Sequence, residues 1–241
     1  MALGLAEAGA RVILNGVDPV RLGNAVKAFS DKGLQASGVC FDVNDEVAVM
    51  QAFAKWDAEG VQIDILVNNA GIQFRKPMIE LETKDWQRVM DTNLTSCFVM
   101  AREVAKRMIA RAGAELGSAP SNSSGKIINI ASLTSEHARA TVAPYTAAKG
   151  AIKMLTKSMA VEWGAHNIQA NAIGPGYMVT EMNQALIDNP TFDAWVKGRT
   201  PAKRWGLPEE LVGAALFLAS NASNYVNGQT IYVDGGMISA L

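Results

Sequence analysis

Short aliphatic runs recur along this chain, each followed by ten or more residues with helical spacing, and that alternation leaves few ways to fold. The runs lie within "RVILNG" (11–16), "QASGVCFDV" (35–43), "DILVNNAG" (64–71), "KIINIAS" (126–132), "IQANAIGPG" (168–176) and "TIYVDGG" (230–236). Helices are expected from Asp18, capped and started by Asp18-Pro19, to about Lys32, from Asn44 to Glu59, from Thr83 toward Arg111 and from Ala143 to Gly164. Shorter helical pieces are expected around 192–198 and 208–220. A helix between successive strands returns the chain to the same end of the sheet, so the strands run parallel. The pattern predicts an α/β fold: a Rossmann-type doubly wound parallel sheet with six strands, in a single domain spanning 1–241.

The bulk numbers agree. A chain of 241 residues with 49% hydrophobic content can bury one large core. Its net charge of -1 offers no basic field for nucleic acid. No apolar run approaches membrane-spanning length and no signal-peptide pattern is visible, so a cytoplasmic protein is expected. Cys40 and Cys97 stand in apolar surroundings without metal-ligand spacing, and are expected as buried free thiols with no metal site. "GAELGSAPSNSSG" (113–125) reads as a mobile surface loop.

The start of the chain is abrupt. Met1, Leu3 and Leu5 are spaced like the end of a helix, Gly9 suits its stop, and Val12-Ile13-Leu14 follows as a strand. This is the second half of a βαβ unit. In a dinucleotide-binding domain the first strand and its glycine-rich turn stand ahead of that point.

The chemistry centres on Tyr145 and Lys149 in "PYTAAKGAIKML", with Ser132 at the end of the preceding strand. A spacing of four puts the phenol and the ammonium on one helix face, one turn apart. A nearby cation favours phenolate, so the phenol is expected to titrate below its ordinary range, as acid–base catalysis requires. By itself such a pair also arises by chance on solvated helices.

Its company is more specific. "NNAG" (68–71), "DTNL" (91–94), "NAIGPGYMVTEM" (171–182) and "YVDGG" (232–236), in this order around Ser132, Tyr145 and Lys149, resemble the classical short-chain dehydrogenase/reductase family over essentially the whole chain. The resemblance implies a catalytic tetrad of Asn93, Ser132, Tyr145 and Lys149. Tyr145 would give the proton in carbonyl reduction and take it in alcohol oxidation. Lys149 would lower its pKa and hold the nicotinamide ribose, Ser132 would orient the carbonyl, and Asn93 would support a proton-relay water. The resemblance also puts Asp42 and Val43 beside the adenine, Asn68, Ala70 and Gly71 along the adenosine, and Pro175, Gly176, Met178 and Thr180 around the nicotinamide, with Tyr145 and Lys149 shared. The family opens with a strand and a Thr-Gly-x-x-x-Gly-x-Gly phosphate loop, which this sequence does not contain. The domain is therefore expected to be N-terminally incomplete by on the order of 20 residues. The lost strand would lie between those at 11–15 and 63–67, leaving the sheet open there. Homotetramers or homodimers are expected by the same resemblance.

In "ILNGVD" the residue aligned with the cofactor-selecting acid is Gly16, while Asp18 before Pro19 reads as a helix cap. That favours NADP, with NAD as the alternative. Within the family, "NNAGIQFRKP", "SEHAR" and "RTPAKRWGLPEEL" look most like the sugar-acid dehydrogenases, which implies a small-molecule sugar-acid substrate. Arg75 is the first candidate for its carboxylate, although beside Lys76 it also reads as a solvated loop charge. Glu136 and Arg139 are further candidates, His137 reads as an exposed loop residue, and His166 as structural at a helix-to-strand turn. Tyr177 to Arg204 reads either as a lid or as a pair of packed helices. Two other readings stay open: reduction of another carbonyl, on a 3-oxoacyl-carrier protein or a deoxygluconate, and a non-catalytic remnant that binds nicotinamide cofactors poorly.

Overall fold

A computed structural model of the chain describes residues 1–112 and 124–240. The expected loop at 113–125 falls almost wholly outside them. Helix α1 (Ala2–Glu7) ends at Gly9, whose φ of 98° suits a residue without a Cβ. Strand β1 (Val12–Gly16), helix α2 (Pro19–Ser30), strand β2 (Ala36–Cys40) and helix α3 (Glu46–Ala58) follow. Asp18 caps α2, accepting from Val20 N at 2.8 Å and Arg21 N at 3.0 Å. Strand β3 (Ile65–Asn68) then leads to helices α4 (Thr83–Met90) and α5 (Ser96–Ala112), joined by a π-helical turn at Asp91–Thr95. Next come strand β4 (Gly125–Ile130), helix α6 (Ala143–Trp163) and strand β5 (Ile168–Pro175). Helices α7 (Gln184–Ile187), α8 (Pro190–Arg199) and α9 (Val212–Ala219) precede the last described strand, β6 (Thr230–Val233).

All the strand pairs are parallel, as expected. They form two blocks: β1 pairs with β2, and β3-β4-β5-β6 form a four-stranded sheet. Between β1 and β3 lies a cleft of about 730 Å³ lined by Ile13, Leu14, Trp56, Ile65, Val67 and Met100.

Helices cover both faces of the larger block, so its central strands bury nearly every residue. Neighbouring side chains on a strand point to opposite faces. Ile127 therefore joins Phe53, Trp56, Val104 and Met108 on one side, and Ile128 joins Ile173, Leu211 and Leu218 on the other. Cys97 is buried within this arrangement, whereas Cys40 is exposed, contrary to expectation. Residue 40 ends β2, which among the described residues is bonded only to β1. Among the described residues no helix is long and apolar enough to cross a membrane.

Candidate active site

The carboxyl ends of β3, β4 and β5 open on one side of the sheet, where parallel strands present their loops to ligands. Ser132 follows β4 and starts a tight turn, Leu133–Ser135, closed by a capping box. The Ser132 Oγ accepts from Thr134 N at 3.2 Å, and its own N–H donates to Ser135 Oγ at 3.3 Å. Helix α6 begins with Pro144 in its first turn, and presents Tyr145 and Lys149 on one face.

Lys149 is 3% exposed, and its Nζ lies 5.7 Å from the Tyr145 ring centroid. It donates to the Ile130 carbonyl at 2.6 Å, so the ammonium is tied to the end of β4. Burial pushes its pKa down, and the neighbouring Cys97 pushes it back up. The expectation that Lys149 draws the phenol below its ordinary value is not met. Burial pushes Tyr145 upward, Ser132 opposes this by a hydrogen bond, and Tyr177 adds to the rise. A phenolate here would have to leave water, and that cost outweighs the hydrogen bond.

Two asparagines are engaged inside the protein. Asn93, fully buried in the π-helical turn, accepts from Ile72 N at 2.8 Å through Oδ1 and donates to Ile72 O at 2.8 Å through Nδ2. Its amide therefore anchors the loop after β3, and the expected water-relay partner would have to be a main-chain group. Asn68 donates to Asn129 Oδ1 at 2.8 Å and to Cys97 O at 3.3 Å. Its side chain is thus engaged with Asn129 and α5, which leaves its main chain to line an adenosine.

The other residues expected around a dinucleotide fall along the same edge. Ala70 and Gly71 leave the end of β3 uncovered, and Asp42 folds its carboxylate back onto Asn44 N at 2.9 Å beside Val43. Pro175 ends β5. At Gly176 a Cβ would meet the Asp234 Cα at 2.7 Å, so only glycine lets the loops after β5 and β6 run together. Thr180 heads the short turn Glu181–Asn183. Met178, expected beside the nicotinamide, is 5% exposed, with its side chain in the core beside Gly206.

Arg75 and Arg139 come together in front of this edge. Partial burial and the Arg139 charge hold the Arg75 guanidinium below its ordinary value, and Tyr177 opposes them. Neither arginine has a carboxylate within ion-pair distance among the described residues. Arg139 lies 5.1 Å from the Phe192 ring. Phe192 belongs to an edge-to-face cluster with Tyr177, Trp195 and Trp205, and Trp205 donates to Asp193 at 2.8 Å. The 177–204 segment is therefore a packed helical layer. Glu136 is less available than expected: its carboxylate accepts from Lys153 and, at 2.6 Å, from the Tyr232 hydroxyl. These bonds hold its pKa below the usual range. Tyr177, Ser135 and Tyr232 were not singled out from the sequence; only the Ser-x-x-Ser spacing of a capping box signalled Ser135.

Residues 1–238 match the family model described as Enoyl-(Acyl carrier protein) reductase. The chain belongs to the short-chain dehydrogenase/reductase family. It is 48% identical over 241 residues to the gluconate 5-dehydrogenase of Gluconobacter oxydans (strain 621H), covering 100% of this chain and 90% of that one. It is 42% identical over 243 residues to the 2-dehydro-3-deoxy-D-gluconate 5-dehydrogenase of Formosa agariphila, covering 100% and 88%. The crystal structure of a gluconate 5-dehydrogenase from Burkholderia cenocepacia J2315 in complex with NADP and tartrate superposes with a TM-score of 0.92 at 48% identity, covering 100% and 90%.

Proposed function

We propose that this chain is an NADP-dependent oxidoreductase interconverting D-gluconate and 5-keto-D-gluconate. The observation that carries this reading is the pair Arg75 and Arg139, without a carboxylate partner among the described residues, with Tyr177 acting electrostatically on both Arg75 and Tyr145. Two guanidiniums close enough for the charge of one to act on the other suit a carboxylate, which each can meet with paired N–H donors. A sugar acid held there by C1 would extend its chain toward the Tyr145 and Ser132 hydroxyls. The relatives named for oxidation at C5 of gluconate and of a deoxygluconate agree with that placement.

In reduction the Tyr145 phenol gives its proton to the C5 carbonyl oxygen, and in oxidation the phenolate takes the hydroxyl proton. Ser132 hydrogen-bonds the same oxygen. The Lys149 ammonium, fixed against Ile130, stands beside Tyr145 where the nicotinamide ribose would lie. Asn93 acts by pinning the loop at Ile72. NADP, when bound, supplies the hydride acceptor for oxidation and the donor for reduction. The choice of NADP over NAD rests on the end of β1, where Gly16 offers no acid and Asp18 is committed to capping α2. A net charge of -1 supplies no general basic field for an acidic carrier, which favours a small-molecule substrate over a carrier protein.

The test is NADPH binding by the 241-residue chain, followed by NADPH-dependent reduction of 5-keto-D-gluconate. A 3-oxoacyl-carrier protein and 2-dehydro-3-deoxy-D-gluconate serve as competing substrates. Preferred turnover of 5-keto-D-gluconate supports the reading. Preference for a competitor overturns the substrate, and failure to bind NADPH overturns the activity of this chain.

A further inference from the structure

The turn that carries Ser132 is held from both ends. At its far end the Glu136 carboxylate joins Lys153 of α6 to Tyr232 of β6. Tyr232 reaches it by lying over Gly174, where a Cβ would come within 2.4 Å of the ring. At its near end stands Ser135, half-buried, whose hydroxyl does two things at once. It accepts the Ser132 N–H at 3.3 Å and donates to the Lys149 carbonyl at 2.7 Å. One oxygen thus joins the main chain of Ser132 to the main chain of Lys149, which lies one helical turn from Tyr145. No other side chain among the described residues makes both links.

We propose that Ser135 is a positioning residue: its hydroxyl bridge sets the Ser132 side chain against the Tyr145 phenol. It touches neither substrate nor cofactor. An alanine at this position removes the bridge and frees the turn to drift on α6, while threonine restores an oxygen at the same place. Misplacing a reacting group by a fraction of an ångström slows the chemical step more than it weakens binding. Because the Ser132 hydroxyl holds the Tyr145 pKa down, loosening it moves the phenol further up.

This inference rests on the proposed gluconate chemistry, and the experiment separates the two. Wild type, Ser135→Ala and Ser135→Thr are compared in gluconate oxidation across pH, with hydrogen exchange of the Ser132 amide measured in the same proteins. The expected result for Ser135→Ala is a kcat lower by about 3- to 10-fold with KM little changed. Its rising alkaline limb should move up by roughly half to one pH unit, with faster exchange at the Ser132 amide. Ser135→Thr should recover most of each change. An unchanged pH profile and kcat in Ser135→Ala overturns the proposal. So does a Ser135→Thr variant as impaired as alanine, or a loss of rate matched by loss of folded protein. A wild type inactive on gluconate overturns the functional reading alone, and the amide exchange then decides the bridge: faster in alanine and restored in threonine supports it, equal in all three overturns it.

Discussion

Tyr145 keeps its proton through neutral pH because burial penalises the phenolate and Lys149 directs its ammonium at Ile130. That sets opposite pH dependences for the two directions. Reduction needs the phenol, which is present across neutral pH, so its rate should hold there and decline only as the phenol ionises. Oxidation needs the phenolate and should climb with pH toward the raised pKa. Tyr145→Phe removes the proton carrier while keeping the ring, and should lower kcat in both directions by about 10²- to 10⁴-fold with the far-UV circular dichroism unchanged. Arg75 works on binding instead. Replacing it by Met keeps the aliphatic stem and removes the fork, and the loss of a charge-assisted bond of about 1.5–3 kcal/mol should raise KM for gluconate by roughly 10- to 100-fold. Arg75→Lys should recover little of it, since an ammonium cannot reproduce the paired geometry. Steady-state kinetics on the three proteins checks both statements.

The elements bring these side chains together through loops that tolerate no extra atoms. Gly176 is the tightest: a Cβ would stand 2.7 Å from Asp234 Cα, a main-chain atom that cannot rotate away. Gly176→Ala should therefore push the loop after β5 off the one after β6, cost about 1–3 kcal/mol in urea unfolding, and weaken NADPH binding. The alternation of strand and helix was legible in the sequence because each strand is short and each helix repeats apolar residues at its own period. Tyr145 and Lys149 were legible for the same reason, being one turn apart on α6. Direction was not. Asn129, 61 residues away, turns the Asn68 side chain inward, and the core takes that of Met178. Glu136 looked free until β6 folded back to bring Tyr232 against it. The pairing of Arg75 with Arg139 likewise forms only when two loops meet.

On the scale of the molecule, the two sheet blocks differ in how they are secured. Strands β4 and β5 have a hydrogen-bonded neighbour on each side and helices on both faces, so opening any of their amides requires disrupting the core. Among the described residues, strands β1 and β2 bond only to each other, and β1 faces a cleft of about 730 Å³. What ties this block to the rest lies outside the ladder. Helix α1 packs against α9 so closely that a Cβ on Gly4 would come within 2.3 Å of Val212. Arg21 of α2 pairs with Glu181 at 3.0 Å, but both side chains are well exposed, and such pairs contribute about 0–1 kcal/mol. Between α3 and α5, Arg102 meets Glu46 at 2.6 Å and Arg107 meets Asp57 at 2.6 Å, with the buried Glu103 between the two arginines. A two-stranded sheet depends on what packs against it, and besides these contacts Ile13, Val39 and Val43 pack against the core around Phe53 and Trp56. In the 241-residue chain the amides of β1 and β2 should exchange at least about 100-fold faster than those of β4 and β5, through opening that leaves the larger block folded. Hydrogen exchange followed by mass spectrometry of peptides covering 12–16, 36–40, 125–130 and 168–175 measures this. Uniform protection across all four peptides would mean that β1 and β2 open only with the whole molecule, and that the contacts through α1, α3 and α5 suffice to hold a divided sheet as one cooperative unit.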